Sequence, residues 1–191
     1  MQPEHLHCVE APPEPSVEAA AVAVLCPAPS LPLRSASSLL PSSAPLSPPL
    51  QHPRQANAEH YKLARVAKEV LAAVPSPSCK VRSVAFDLAV TGDDARRGVA
   101  RVAAAVEGRD VGVLVNNAGA TYPCAAYFHE VEAPVWEAVV RVNVEAATRI
   151  TRALLPMMAA RGRGAVVNVG SGSSVVVPAF PLYAVYAASK A

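Results

Sequence analysis

Tyr186 and Lys190 stand four residues apart, the spacing that places two side chains one turn apart on one face of a helix. A phenol ordinarily titrates near pH ~10, too high for efficient proton donation at neutral pH. An ammonium one turn away favours the phenolate and draws that value toward the working range. The pair is a candidate general acid with its electrostatic partner. Tyr183 cannot play the same part, because Ala187 follows it by four residues. Upstream, Asn116-Asn117-Ala118-Gly119 ends an apolar run, and Gly119 permits close approach of backbone to a ligand. Taken alone, that segment reads equally well as a polar turn after a buried strand. Ser171, Ser173 and Ser174 follow a second apolar run, where a hydroxyl could point at a developing oxyanion.

Positioning these groups needs strands that end at them and helices that flank them. After residue 54 the hydrophobic pattern alternates between the two periods. Residues 58–73 predict an amphipathic helix with Leu63, Val66, Ala67, Val70 and Leu71 on its apolar face, stopped by Pro75 and Pro77. Residues 81–88 alternate like a strand. Residues 93–106 predict a helix that starts at Asp93 or Asp94 and turns Val99, Val102, Ala103 and Val106 inward. Residues 111–115 form a continuous apolar run suited to a buried parallel strand. A long helix is expected over 131–160, with Pro134 in its first turn and Pro156 near its end. Gly162 and Gly164 turn the chain into a strand at 165–169, and a last helix begins near Leu182. Alternating strands and helices imply an α/β fold, a doubly wound parallel sheet with helices on both faces.

Residues 1–53 are different. They hold 12 of the 19 prolines and many serines, so a packed helix or sheet is not expected over most of them. The segment reads as a disordered Pro/Ser-rich region with local polyproline II, ahead of a domain at 54–191. The exception is 20–26, which could add a short strand. Pro-x-x-Pro spacings at Pro12–Pro15 and Pro45–Pro48 admit a proline-rich ligand, though any such tract produces them. The net charge of +2 divides unevenly, since 1–53 carry only Arg34 against Glu4, Glu10, Glu14 and Glu18. Positive charges in the remainder are scattered, which argues against nucleic acid. Cys8, Cys26, Cys79 and Cys124 match neither a metal-ligand spacing nor a disulfide framework and suggest a reducing compartment. The apolar stretch at 19–26 is too short to span a bilayer, and the acidic N-terminus is unlike a signal or transit peptide. From residues alone the chain reads as cytoplasmic.

Asn116-Asn117-Ala118-Gly119 followed by Tyr186-Ala187-Ala188-Ser189-Lys190 resembles the short-chain dehydrogenases/reductases. Further segments narrow the likeness: 110–119, Tyr122-Pro123, Phe128-His129-Glu130-Val131, Asn168-Val169-Gly170-Ser171-Gly172 and 181–188 resemble the plant very-long-chain 3-oxoacyl-CoA reductases, with related 17β-hydroxysteroid dehydrogenases sharing the frame. The likeness covers 57–191. It implies NADPH-dependent reduction of a 3-oxoacyl-CoA to the 3-hydroxyacyl-CoA in fatty-acid elongation at the endoplasmic reticulum. An acyl-CoA or another hydrophobic ketone would be the substrate.

The same resemblance distributes roles. Tyr186 would protonate the substrate carbonyl oxygen, and Lys190 would also hold the nicotinamide ribose. Asn116, Asn117, Ala118 and Gly119 would line the adenosine and ribose side of the cofactor. Asn143 would hold a water linking the lysine to solvent; otherwise it is a satisfied helix-packing residue. Asp87 would contact the adenine, or simply end a strand. Counting forward from Asn168 makes Ser171 the oxyanion donor, whereas counting back 13 from Tyr186 gives Ser173. Ser171 is preferred, because strand-end geometry fixes direction better than loop length, and Ser174 reads as a surface residue. His129 belongs to the pattern without a catalytic part.

Departures from the family pattern carry their own expectations. No glycine precedes Gly92, so the glycine-rich turn that seats a cofactor pyrophosphate has no counterpart, nor do the strands and helix around it. The family's N-terminal membrane helix and everything beyond residue 191 are likewise without counterpart. A partial Rossmann-type sheet is expected, with a gap between the strands at 81–88 and 111–115. A truncated product with weak NADPH binding follows, and so does the alternative of a non-catalytic remnant that pairs with intact relatives.

Overall fold

A computed structural model describes residues 20–25, 53–73, 79–176 and 180–191. Both Pro-x-x-Pro spacings and most of the segment expected to be disordered lie outside the described residues. In chain order the elements are β1 (Ala20–Leu25), α1 (Pro53–Ala73), β2 (Lys80–Ala85), α2 (Gly92–Ala105), β3 (Val113–Asn116), α3 (Ala133–Val140), α4 (Ala147–Ala160), β4 (Ala165–Asn168), α5 (Gly172–Val175) and α6 (Ala184–Ser189). Short 3₁₀ turns at Phe128–Glu130 and Pro181–Tyr183 precede α3 and α6.

The strands form two separate pairs. β3 and β4 run parallel, with Val113 opposite Ala165 and Asn116 opposite Asn168. β1 and β2 run antiparallel, from Ala20 opposite Ala85 to Leu25 opposite Lys80. Among the described residues no strand joins the pairs, so the expected gap between the second and third strands is present. The doubly wound parallel sheet is thus realised in part, with an antiparallel pair added to it.

Two apolar clusters hold the helices to the strands. In the larger, Val139 and Val142 are the most completely enclosed side chains, packed with Phe86, Leu88, Val102, Ala120, Tyr122, Val135 and Ala146. In the smaller, Val106 and Val111 meet Leu154 and Met158, with Leu114 against them. The α3–α4 helix contributes to both, which fixes α2 and β3 relative to the chain before α6. The turn after α4 closes by a Schellman pattern: Gly162 (φ 64°) donates its N–H to Ala159 O at 2.9 Å, and Arg163 to Met158 O at 3.4 Å. A left-handed residue is required there, and glycine takes that conformation without penalty. Asp110 then draws in both Arg161 and Arg163, tying the end of α4 to the start of β3.

Several expectations need correction. The helix at 58–73 begins at Pro53, and Leu71 is exposed on it. The strand at 81–88 stops at Ala85, because Asp87 Oδ1 accepts the Ala89 N–H at 2.9 Å and turns the chain. Thr91 occupies the N-cap position of α2, leaving Asp93 and Asp94 in its first turn. The helix at 131–160 widens into a π segment over Arg141–Ala146. The buried strand at 111–115 is covered on one face only: Leu114 meets the core, whereas Val113 is 56% and Val115 52% exposed. A parallel strand buries both faces only when helices lie on both, and α2 and α4 lie on one. Cys79 is buried, as expected of a small apolar residue.

Candidate active site

β3 and β4 end side by side at Asn116 and Asn168, so the segments that follow them share one edge of the pair. Asn116 Nδ2 donates to Asn168 Oδ1 at 2.8 Å and to Thr151 Oγ1 of α4 at 3.0 Å. Both amide protons of Asn116 are used, and the two strand tips are pinned to each other and to the helix. Asn117 is exposed beyond them.

α6 brings Lys190 into this edge from the far end of the chain. The ammonium donates to Ala118 O at 3.3 Å, two residues beyond β3, and to Val169 O at 3.2 Å, one residue beyond β4. Its three protons allow a third hydrogen bond. Burial pushes its pKa below the ordinary lysine value. Two glycines admit the residue: a Cβ at Gly119 would come within 2.8 Å of Lys190 Nζ, and one at Gly170 within 2.9 Å of Lys190 O. Ser174 Oγ donates to the same Lys190 carbonyl at 2.8 Å. The reading of Ser174 as a surface residue is thereby corrected, since the single turn of α5 folds it back onto the end of α6.

Asn143 sits inside the π segment, where its side chain leaves the helix for α6. Oδ1 accepts the Ala120 N–H at 2.7 Å, while Nδ2 donates to Ala120 O at 3.0 Å and to Ser189 Oγ at 2.7 Å. Ser189 Oγ in turn donates to Tyr186 O at 2.8 Å. Every hydrogen-bonding group of the Asn143 amide except one lone pair is engaged. π segments of one turn recur at functional sites, and nothing in the hydrophobic pattern signals this one.

Tyr186 is half-buried beside the larger core, edge-on to Tyr183 at 6.5 Å. Tyr183 stacks on Tyr122 at 5.7 Å and on Phe180 at 5.1 Å, so a row of rings leads outward from Tyr186. Tyr122 OH accepts the Val185 N–H at 3.2 Å, which seats the start of α6. Burial raises the Tyr122 pKa, and that hydrogen bond lowers it by less.

Ser171 and Ser173 are a single hydrogen-bonded pair. Ser171 caps α5: its Oγ accepts the Ser173 N–H at 3.3 Å and the Ser173 Oγ–H at 2.9 Å. Asp87 is half-buried, its carboxylate engaged with its own turn at Ala89. Hydrogen bonds thus tie Lys190 to Ala118 and, through Ser189, Asn143 to the main-chain carbonyl of Tyr186, while Gly119 leaves room for the lysine tip; Ser171 and Ser173 are linked to the Lys190 carbonyl by way of Ser174. Ser189, Thr151, Asn168 and Ser174 complete the site, residues that no local spacing singles out.

A nicotinamide dinucleotide can be tested against these groups. At the ribose end the residues fit: Lys190 keeps one ammonium proton for a diol, and Gly119 leaves the approach clear of a side chain. At the pyrophosphate end they do not. The helix that starts with a glycine in the positive-φ region is α2, at Gly92 (φ 59°), and its first turn carries Asp93 and Asp94. Their side chains, paired with Arg96 and Arg97, occupy that turn, so it is not the bare helix N-terminus that would cradle a pyrophosphate.

The profile of the short chain dehydrogenase family matches residues 55–191. A very-long-chain 3-oxoacyl-CoA reductase-like protein of Arabidopsis thaliana is 46% identical over 115 residues, covering 60% of this chain and 35% of the relative. The inactive hydroxysteroid dehydrogenase-like protein 1 of Rattus norvegicus is 43% identical over 88 residues, 46% of this chain and 26% of that protein. This chain therefore spans about a third or less of the length of the curated relatives it matches. Among solved structures, a metagenomic short-chain oxidoreductase in complex with NADP superposes with a TM-score of 0.55 at 33% identity, over 68% of this chain and 54% of that one. Its edge of paired strand tips, its Tyr186–Lys190 turn and the extent of the match establish that the chain belongs to the short-chain dehydrogenase family.

Proposed function

We propose that residues 113–190 carry the carbonyl-reducing chemistry of a 3-oxoacyl-CoA reductase, turning a 3-oxoacyl-CoA into the 3-hydroxyacyl-CoA with NADPH. The observation that carries this reading is Lys190 clasped between Ala118 and Val169 one helical turn beyond Tyr186. The cofactor, when bound, supplies the hydride to the carbonyl carbon. The Tyr186 hydroxyl gives its proton to the carbonyl oxygen. Lys190 holds the ribose, against a wall of Asn116, Asn117, Ala118 and Gly119. Asn143 fixes the end of α6 and with it the lysine. Ser171 donates to the oxyanion; it accepts from Ser173 twice, so its own proton is available for the substrate. Asp87 takes the adenine side. An acyl-CoA substrate fits the aromatic row that runs from Tyr186 to half-exposed Phe180, and it implies work at the endoplasmic reticulum in very-long-chain elongation.

A second reading has its own support. The acidic first turn of α2 and the absence of any glycine before Gly92 favour a non-catalytic member that acts through longer relatives. The rat relative bears the name of an inactive protein. One experiment separates the two: the flanking segments of the Arabidopsis relative are grafted onto residues 79–191 and NADPH oxidation is followed with a 3-oxoacyl-CoA. Turnover that disappears in Tyr186→Phe supports the reductase. No turnover in the graft, or full turnover in Tyr186→Phe, overturns it.

A further inference from the structure

β1 lies outside the region that the family profile matches, which begins at residue 55. It nevertheless pairs with β2 over all six residues of both strands, Ala20 with Ala85 through Leu25 with Lys80. α1 runs alongside both strands, so the pair is backed by a helix. The sequence explains why the strand forms here. Residues 16–26 are the longest proline-free run among the first 53, bounded by Pro15 and Pro27, and 20–25 read Ala-Ala-Val-Ala-Val-Leu without a charge. A strand interior tolerates no proline on its bonded side, and the other proline-free, uncharged run of six in the segment, 35–40, holds three serines and no β-branched residue, whereas 20–25 holds two valines.

β2 has no partner other than β1 among the described residues. A lone strand leaves its N–H and C=O groups unpaired along both edges, a cost in stability and an invitation to other chains. Its anchorage on the other side is modest: Arg82 reaches the Ala105 carbonyl at the end of α2 at 3.2 Å, and Val84 packs against the larger core. We propose that β1 is a substitute strand, a segment from ahead of the family region that closes the edge of β2. The domain accordingly includes β1.

The test is amide hydrogen exchange on the full 191-residue chain. Ala23→Pro and Val24→Pro are made separately. Successive residues of an antiparallel strand alternate between bonding the partner and facing away, so one of the two must remove a bond to β2. Ser38→Pro serves as the control within the same segment. In the unsubstituted chain, alternate amides of Lys80–Ala85 should exchange slowly. In one proline variant their protection should fall at least about tenfold, the scale of a local opening, while Val113–Asn116 keeps its rates. Loss of protection throughout the chain in that variant, with the control unchanged, also assigns β1 to the fold. Unprotected Lys80–Ala85 amides in the unsubstituted chain overturn the proposal. So do unchanged rates in both proline variants, or an equal loss in Ser38→Pro.

Discussion

Asn143 and Ser189, 46 residues apart, are joined by a hydrogen bond of 2.7 Å that links the widened turn of the long helix to the residue before Lys190. The same amide holds both main-chain groups of Ala120. Asn143→Ala leaves the buried Ala120 without those partners and releases the end of α6. A loss of about 1–3 kcal/mol follows from the stranded polar groups. Denaturant titration checks it, and a midpoint unchanged from the parent would show that water replaces the amide without cost.

Gly98 stands in the middle of α2, where alanine is ordinarily the better residue by ~0.5–1 kcal/mol. The ring of Phe86 lies across it so closely that an added Cβ would overlap the aromatic carbons. Overpacking of an enclosed ring costs about 1–3 kcal/mol or more, so packing outweighs propensity and Gly98→Ala destabilises. Thermal melting of Gly98→Ala against a Phe86→Leu, Gly98→Ala double variant reads this directly. The second substitution should restore stability to the first, and failure to do so would place the cost elsewhere.

At Gly119 the outcome differs, because the atoms in the way are the tip of a flexible lysine. Gly119→Ala should cost little stability while displacing the Lys190 ammonium from its two carbonyls. Released from burial, Lys190 should titrate closer to the ordinary lysine range, since burial is what lowers it. Lysine-selective acylation followed by peptide mass spectrometry gives its rate against pH. An identical profile in parent and variant would refute the displacement.

Tyr122 supplies a pH dependence with a defined sign. Its pKa is raised above the ordinary value of 10.0, so as pH climbs past that value the unfolded chain loses the proton first. Stability therefore falls with pH from 10 upward to the raised value. Lys190, with its lowered pKa, contributes the opposite slope below 10.5, where the unfolded chain holds the extra proton. In Tyr122→Phe the alkaline fall attributable to the phenol disappears. At neutral pH the variant loses about 1 kcal/mol through the orphaned Val185 N–H. Denaturation curves at several alkaline pH values would detect both effects, and parallel stability profiles for parent and variant would contradict the first.

What the sequence made legible is local. Tyr186 and Lys190 declare themselves because a helical turn is four residues long. The strands at 113–116 and 165–168 declare themselves because apolar runs there end at Asn116 and Asn168. The π segment around Asn143 could not be read, since its hydrogen bonds close onto Ala120 and Ser189 and leave no periodic trace. Ser174 looked like one serine among several because its partner, Lys190, arrives by a fold that spacing does not encode. The exposure of Val113 and Val115 departs from the pattern for a related reason: an apolar run says that a strand can be buried, and only its neighbours decide on how many faces.

That half-covered strand pair has a practical consequence. Val113, Val115, Val167 and Val169 all stay 39–56% exposed, a contiguous apolar surface on a chain whose helices are packed. Environment-sensitive dyes are used to detect loosened packing through just such surface. On this protein the native state itself should bind them, giving a bright signal at low temperature with no sign of melting. Dye-based thermal screens would then rank well-folded and poorly folded variants alike, and circular dichroism in the near ultraviolet, which reads the packing of Tyr122, Tyr183 and Trp136, becomes the measurement that tells them apart.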